Sequence, residues 1–143
     1  PPRMTNNVEL YEGQTLPEIW KTVTQEQINR YAQVSGDFNP LHLDAKFALN
    51  GPFGRIVAHG MLTLAFVSEM LFGMFERNWA ENGRMKTKFS APVYPGEQVV
   101  TFGSVAAVER YGEGIKVRCD VGCRKPDGQN VVIGEAWLTI PLE

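Results

Sequence analysis

Residues 60–79 read as one long helix in which Leu62, Leu64, Ala65, Phe66, Val67, Met70, Leu71, Phe72, Met74 and Phe75 leave little polar face. At 1.5 Å rise per residue such a helix runs roughly 30 Å, about the width of a small domain. A helix that is apolar on nearly all sides is stable only when other elements wrap it. The longest apolar-rich segment within it, Met61 to Phe75, is interrupted by Thr63, Ser68, Glu69 and Gly73. It is therefore too polar and too short to span a bilayer. The remainder of the chain has to supply an enclosure.

The C-terminal half is suited to that task. Residues 86–93, 98–110, 115–125 and 130–140 read as strands, separated by the turn signals Tyr94-Pro95-Gly96, Gly112-Glu113-Gly114 and Pro126-Asp127-Gly128. The third alternates: Ile115, Val117, Cys119, Val121 and Cys123 share one face, while Lys116, Arg118, Asp120, Gly122 and Arg124 share the other. One face is dry and one is wet. Loops this short imply an antiparallel meander, and a sheet curled around one apolar helix is an α+β architecture.

Upstream, residues 1–8 read as a loose N-terminus and 15–23 as a first strand, irregular at Pro17. Thr24-Gln25-Glu26-Gln27 fits a capping box, and Ile28, Tyr31 and Ala32 follow at helical spacing up to Gly36, a residue suited to a left-handed stop. Residues 44–50 read as a short helix capped by Asp44 and halted by Gly51-Pro52. Nothing divides the 143 residues, so a single domain over 1–143 is expected. A net charge of −2 offers no electrostatic reason to bind nucleic acid. No charged-then-apolar leader opens the sequence, so a cytoplasmic location is the expectation, with no membrane partner. On a strand, Cys119 and Cys123 would lie about 13 Å apart at ~3.3 Å per residue, too far for a disulfide. Two packed thiols are expected, and no metal cluster.

The stretch Ser35-Gly36-Asp37-Phe38-Asn39-Pro40-Leu41-His42 sets a carboxylate and an imidazole five positions apart. Pro40 biases Asn39 away from helical geometry, and Asp and Asn favour turns, so the two side chains can reach a shared point. Downstream, His59-Gly60-Met61 opens the apolar helix. A helix N-terminus carries unpaired N–H groups and the positive end of the dipole. An acid–base pair facing such a terminus suits proton chemistry beside a carbonyl.

Those two stretches, with the later run Lys88-Phe89-Ser90-Ala91-Pro92-Val93-Tyr94-Pro95-Gly96-Glu97, closely resemble the MaoC-like, or type 2, (R)-specific enoyl-CoA hydratases over residues 27–138. The resemblance implies a single hot-dog fold, an antiparallel sheet wrapped around a long central helix. It implies a hydro-lyase that adds water syn to a trans-2-enoyl-CoA and yields the (R)-3-hydroxyacyl product. It also implies a homodimer. Coenzyme A is part of the substrate and no cofactor is implied. A hot-dog acyl-CoA thioesterase, a dehydratase of acyl-carrier-protein thioesters and a non-catalytic acyl-thioester binder are the competing readings.

Carried onto this chain, the resemblance makes Asp37 and His42 the catalytic pair and Gly60 N–H the oxyanion donor. The bland alternatives are a turn-capping aspartate, a satisfied histidine and a glycine needed only for the turn into the helix. Asn39 either fixes the turn or orients the catalytic groups. Ser68 falls where the family has a serine hydrogen-bonded to the catalytic aspartate; otherwise its hydroxyl bonds its own helix or another buried group. His59 is either a loop histidine or a substrate contact. Arg55, Arg84, Lys86 and Lys88 are candidates for the carrier's phosphates. Phe38, Phe47, Leu49, Phe53 and Met61 are candidates for the acyl pocket, or ordinary core residues.

Overall fold

The structure, a computed structural model, describes residues 3–5 and 8–142. Its elements in chain order are β1 (Arg3–Thr5), β2 (Val8–Leu10), β3 (Trp20–Thr22), α1 (Gln25–Ser35), α2 (Pro40–Leu43), α3 (Ala45–Leu49), α4 (Gly60–Phe75), α5 (Arg77–Asn82), β4 (Arg84–Phe89), β5 (Gln98–Tyr111), β6 (Gly114–Arg124) and β7 (Asn130–Pro141). Arg3–Thr5 pairs antiparallel with Val8–Leu10. The other residues of the stretch 1–8 lie outside the described ones.

The five-stranded antiparallel sheet runs β3-β5-β6-β7-β4 and curls around α4. On β6, Ile115, Val117, Cys119, Val121 and Cys123 are all buried, as the alternation requires. They meet Phe66, Val67, Met70, Leu71 and Phe75 of α4 in one core with Val105, Val132 and Leu138. This is the hot-dog arrangement. Cys119 and Cys123 are free, buried thiols. No helix among the described residues is long and apolar enough to cross a membrane.

Three elements depart from the expected layout. The sheet is not a simple meander: β5, β6 and β7 are hairpin-connected, but β4 pairs with β7 at the far edge. The segment between β4 and β5 is too long for a hairpin and crosses the start of α4 instead, where Val93 O accepts from Ala58 N–H at 2.8 Å. The first strand shrinks to Trp20–Thr22, because Pro17 has no N–H to give. Around it, the backbone touches β5 at isolated points, such as Leu16 N–H to Gly103 O at 2.8 Å.

The long helix also stops early. Its 16 residues span about 24 Å, ending where Glu76 takes φ 50°, ψ −124°. A positive φ at a residue with a side chain costs of order 1–3 kcal/mol. The turn folds α5 back, which buries Trp79 and lets its Nε1–H donate to Ser68 Oγ at 2.9 Å. Burial of an indole of this size is worth enough to offset the strain.

Candidate active site

Local turn chemistry shapes the segment after α1. Thr24 caps α1, its Oγ1 accepting from Gln27 N–H at 3.1 Å, although the buried Gln27 Oε1 has no partner among the described residues, so only half of a capping box forms. Gly36 closes the helix at φ 79°, with its N–H on Ala32 O. Three side chains then each accept from the backbone two residues on. Ser35 Oγ takes Asp37 N–H (3.2 Å), Asp37 Oδ1 takes Asn39 N–H (3.1 Å), and Asn39 Oδ1 takes Leu41 N–H (3.0 Å). The last of these makes Asn39 the N-cap of α2, a one-turn helix with Pro40 at its first position. The expected turn is therefore a capped helical turn, and it carries His42.

Nδ1 of His42 lies 2.7 Å from Val57 O. A carbonyl only accepts, so Nδ1 carries the proton and Nε2 is the free acceptor. His59 is 2% exposed, and its Nε2 donates to Asp37 O at 3.0 Å. Its ring is stacked on His42 at 3.9 Å and tilted against Tyr31 at 4.8 Å. One carboxylate oxygen of Asp37 and one ring nitrogen from each of His42 and His59 fall within 4.8 Å of one another. Two hydrogen bonds of about 2.7–3.0 Å to one water bridge such a gap. The same three groups offer a carboxylate oxygen and two imidazole nitrogens, donor types that zinc takes, although His59 Nε2 is engaged with Asp37 O.

A hollow of about 380 Å³ opens beside His42, with Gly60, Thr63, Phe53, Val57 and Phe89 also in its wall and Asp37 outside it. Gly60 is the first residue of α4, and its N–H has no acceptor among the described residues. A side chain there would meet the Phe89 ring at 3.1 Å, so glycine keeps the approach to this N–H open.

The chain matches the family model described as "MaoC like domain" over residues 7–125. The chain belongs to the MaoC-like family. It is 36% identical over 99 residues to 3-hydroxyacyl-thioester dehydratase Z of Mycobacterium tuberculosis, a match spanning 66% of each protein, just under two thirds. It is 30% identical over 135 residues to the (R)-specific enoyl-CoA hydratase of Rhodospirillum rubrum, covering 93% of this chain and 90% of that one. Among solved structures, the unliganded R-hydratase PhaJ1 of Pseudomonas aeruginosa superposes with a TM-score of 0.78 at 30% identity, over 94% of this chain and 84% of that one.

In this MaoC-like chain the structure gathers some of the candidates and scatters others. His42, Gly60 and Phe53 line the one hollow. Phe38 and Met61 are more than half exposed and outside its wall. Phe47 is also exposed, and Leu49 lines a separate hollow with Arg55, whose guanidinium lies 4.2 Å from the Tyr94 ring centroid. Neither Phe47 nor Leu49 of α3 is in the wall of the hollow beside His42.

Ser68 does not reach Asp37. The back-folded Trp79 takes its hydroxyl instead. His59 is outside the hollow's wall, its ring stacked on that of His42. Arg84, Lys86 and Lys88 follow one another on one face of β4, opposite Trp137, Glu135 and Ile133 of β7. That is the outer face of the sheet, away from the dyad.

Sequence reasoning missed Thr63, whose Oγ1 donates to Gly60 O at 2.6 Å, and Phe89, which covers Gly60. Thr63 stands three positions after Gly60 and Phe89 stands within the Lys88–Glu97 run, so each had a signal in spacing or motif.

Proposed function

We propose that this chain is a hydro-lyase that reversibly adds water, syn, to a trans-2-enoyl-CoA to give the (R)-3-hydroxyacyl-CoA. The observation that carries the reading is that a carboxylate oxygen of Asp37 and a ring nitrogen of His42 lie within 4.8 Å, with His42 and Gly60 in the wall of one hollow. The names of the two relatives above, a 3-hydroxyacyl-thioester dehydratase and an (R)-specific enoyl-CoA hydratase, support the same class. In this reading the thioester oxygen accepts from Gly60 N–H at the positive end of α4, which stabilises the enolate-like charge as it develops. The water held by Asp37 and His42 attacks C3, one proton passes to the pair, and C2 takes one proton from the pair. Asn39 orients the turn that carries both groups, and Phe53 and Phe89 bound the acyl end.

Phe38, Met61 and Phe89 leave apolar surface exposed around the site, which supports a homodimer that covers it. Two free buried thiols suit a reducing compartment such as the cytoplasm. Crotonyl-CoA is the substrate for the test. Loss of its enoyl absorbance with formation of (R)-3-hydroxybutyryl-CoA supports the reading. Free-thiol release without hydration points to a thioesterase, and binding without turnover to an acyl-thioester binder.

A further inference from the structure

A second hollow, of about 420 Å³, lies on the outer face of the sheet, where Arg84 and Lys86 of β4, Lys116 and Tyr111 of the β5–β6 hairpin and Trp137 of β7 surround it. Its volume falls in the range of small-ligand sites. Arg84, Lys86 and Lys116 make no ion pair among the described residues. Two carboxylates of this face, Asp120 and Glu135, are engaged by Arg118 at 3.8 and 3.5 Å. A third, Glu109, stands across from Lys116 without pairing with it. Lys116 Nζ lies 5.5 Å from the Tyr111 ring centroid, whereas no cation covers the Trp137 ring among the described residues. The Trp137 indole N–H likewise has no partner among them. Three cations and no carboxylate thus line the hollow beside Trp137, with Glu135 across from Lys86 and Glu109 across from Lys116.

We propose that this hollow binds a phosphorylated planar ring, the chemistry of a nucleoside diphosphate, with the ring on Trp137 and the phosphates on Arg84, Lys86 and Lys116. A bare anion would leave the aromatic face unused, and an uncharged ring would leave the cations unused. Two sources share this chemistry: a free nucleotide, and the nucleotide end of coenzyme A. The second rests on the proposed hydratase function. Phe89 walls the dyad hollow and Lys86 this one, about 10 Å apart along β4 at ~3.3 Å per residue but on opposite faces of the sheet, so a coenzyme A reaching both would have to pass around the β4 edge.

Calorimetric titration of the intact protein with ADP tests the site without requiring turnover. Saturable binding is expected, weakened roughly tenfold or more in Lys116→Ala and in Lys86→Ala, and falling as salt rises. Trp137→Leu should weaken it while Trp137→Phe retains it. No saturable binding, or equal binding by the lysine variants, would overturn the proposal. Hydration kinetics then separate the sources. Competition by ADP, with KM raised in Lys116→Ala for crotonyl-CoA but not for crotonyl-pantetheine, assigns the hollow to the substrate's nucleotide end. Retained ADP binding with both KM values unchanged assigns it to a free nucleotide. An inactive protein that binds ADP would sink the hydratase reading and leave this site standing.

Discussion

The imidazole of His59 lies stacked on that of His42, ring centroids 3.9 Å apart and planes 29° from parallel. The same ring donates to the backbone of Asp37, so one buried side chain touches both members of the candidate pair. These two contacts suit His59 to a positioning role. His59→Phe keeps an aromatic ring against His42 but removes the donor, leaving Asp37 O unpaired. The expected outcome is a loss of roughly 1–3 kcal/mol of stability. In hydration kinetics, kcat should fall at least about tenfold with KM nearly unchanged, because the groups that move protons are displaced while the hollow's wall is kept. A raised KM with normal kcat would mark a substrate contact instead.

Gly60 offers a cleaner separation of backbone from side chain. It is the first residue of α4, the position where proline is best tolerated, and His59 before it already has the extended conformation that a following proline requires (φ −60°, ψ 134°). Gly60→Pro removes the N–H and should leave the melting midpoint close to that of Gly60→Ala, since both press on the half-exposed Phe89 ring. Losing the oxyanion donor should then lower kcat by about 10²–10³ relative to Gly60→Ala. Equal activity of the two variants would show that this N–H does not bind the reacting oxygen.

The core itself titrates. Burial pushes the Cys119 thiol up to about 12, with Asp120 adding to the rise and Arg118 opposing it. Burial pushes Cys123 up to about 12 as well. A thiol in the unfolded chain titrates near ~8.5. Above that pH the unfolded state releases protons that the folded state keeps, so this contribution is fully present below pH ~8.5 and is lost as pH rises toward about 12. By about pH 10 each thiol should cost about 2 kcal/mol of stability. Urea midpoints measured across this window should fall, and less steeply in Cys119→Ala and Cys123→Ala than in the parent.

Much of this was legible in the residues because it is local. Thr24, Gly36 and Asp44 marked helix ends through their own hydrogen bonds, and the alternation of Ile115 to Cys123 carried the sheet's dry face. The spacing of Asp37 and His42 implied a shared point because proline and asparagine stand between them. What escaped was set by tertiary pairing. No residue in Arg84–Phe89 reveals that its partner is β7, and that register alone turns Arg84 and Lys86 to the outer face. Nor does a proline or glycine at Glu76 announce the end of α4; the break is offset by the burial of Trp79, which in turn claims Ser68.

The central claim is that Asp37 and His42 together hold and activate one water. The most direct measurement is crotonyl-CoA hydration by Asp37→Asn and His42→Gln, each shown by circular dichroism to keep the parent fold. Loss of either proton-transfer group should lower kcat by roughly 10²–10⁴. The double variant should be little worse than either single one, because both act on the same water. Near-parental turnover in either folded variant would contradict the account.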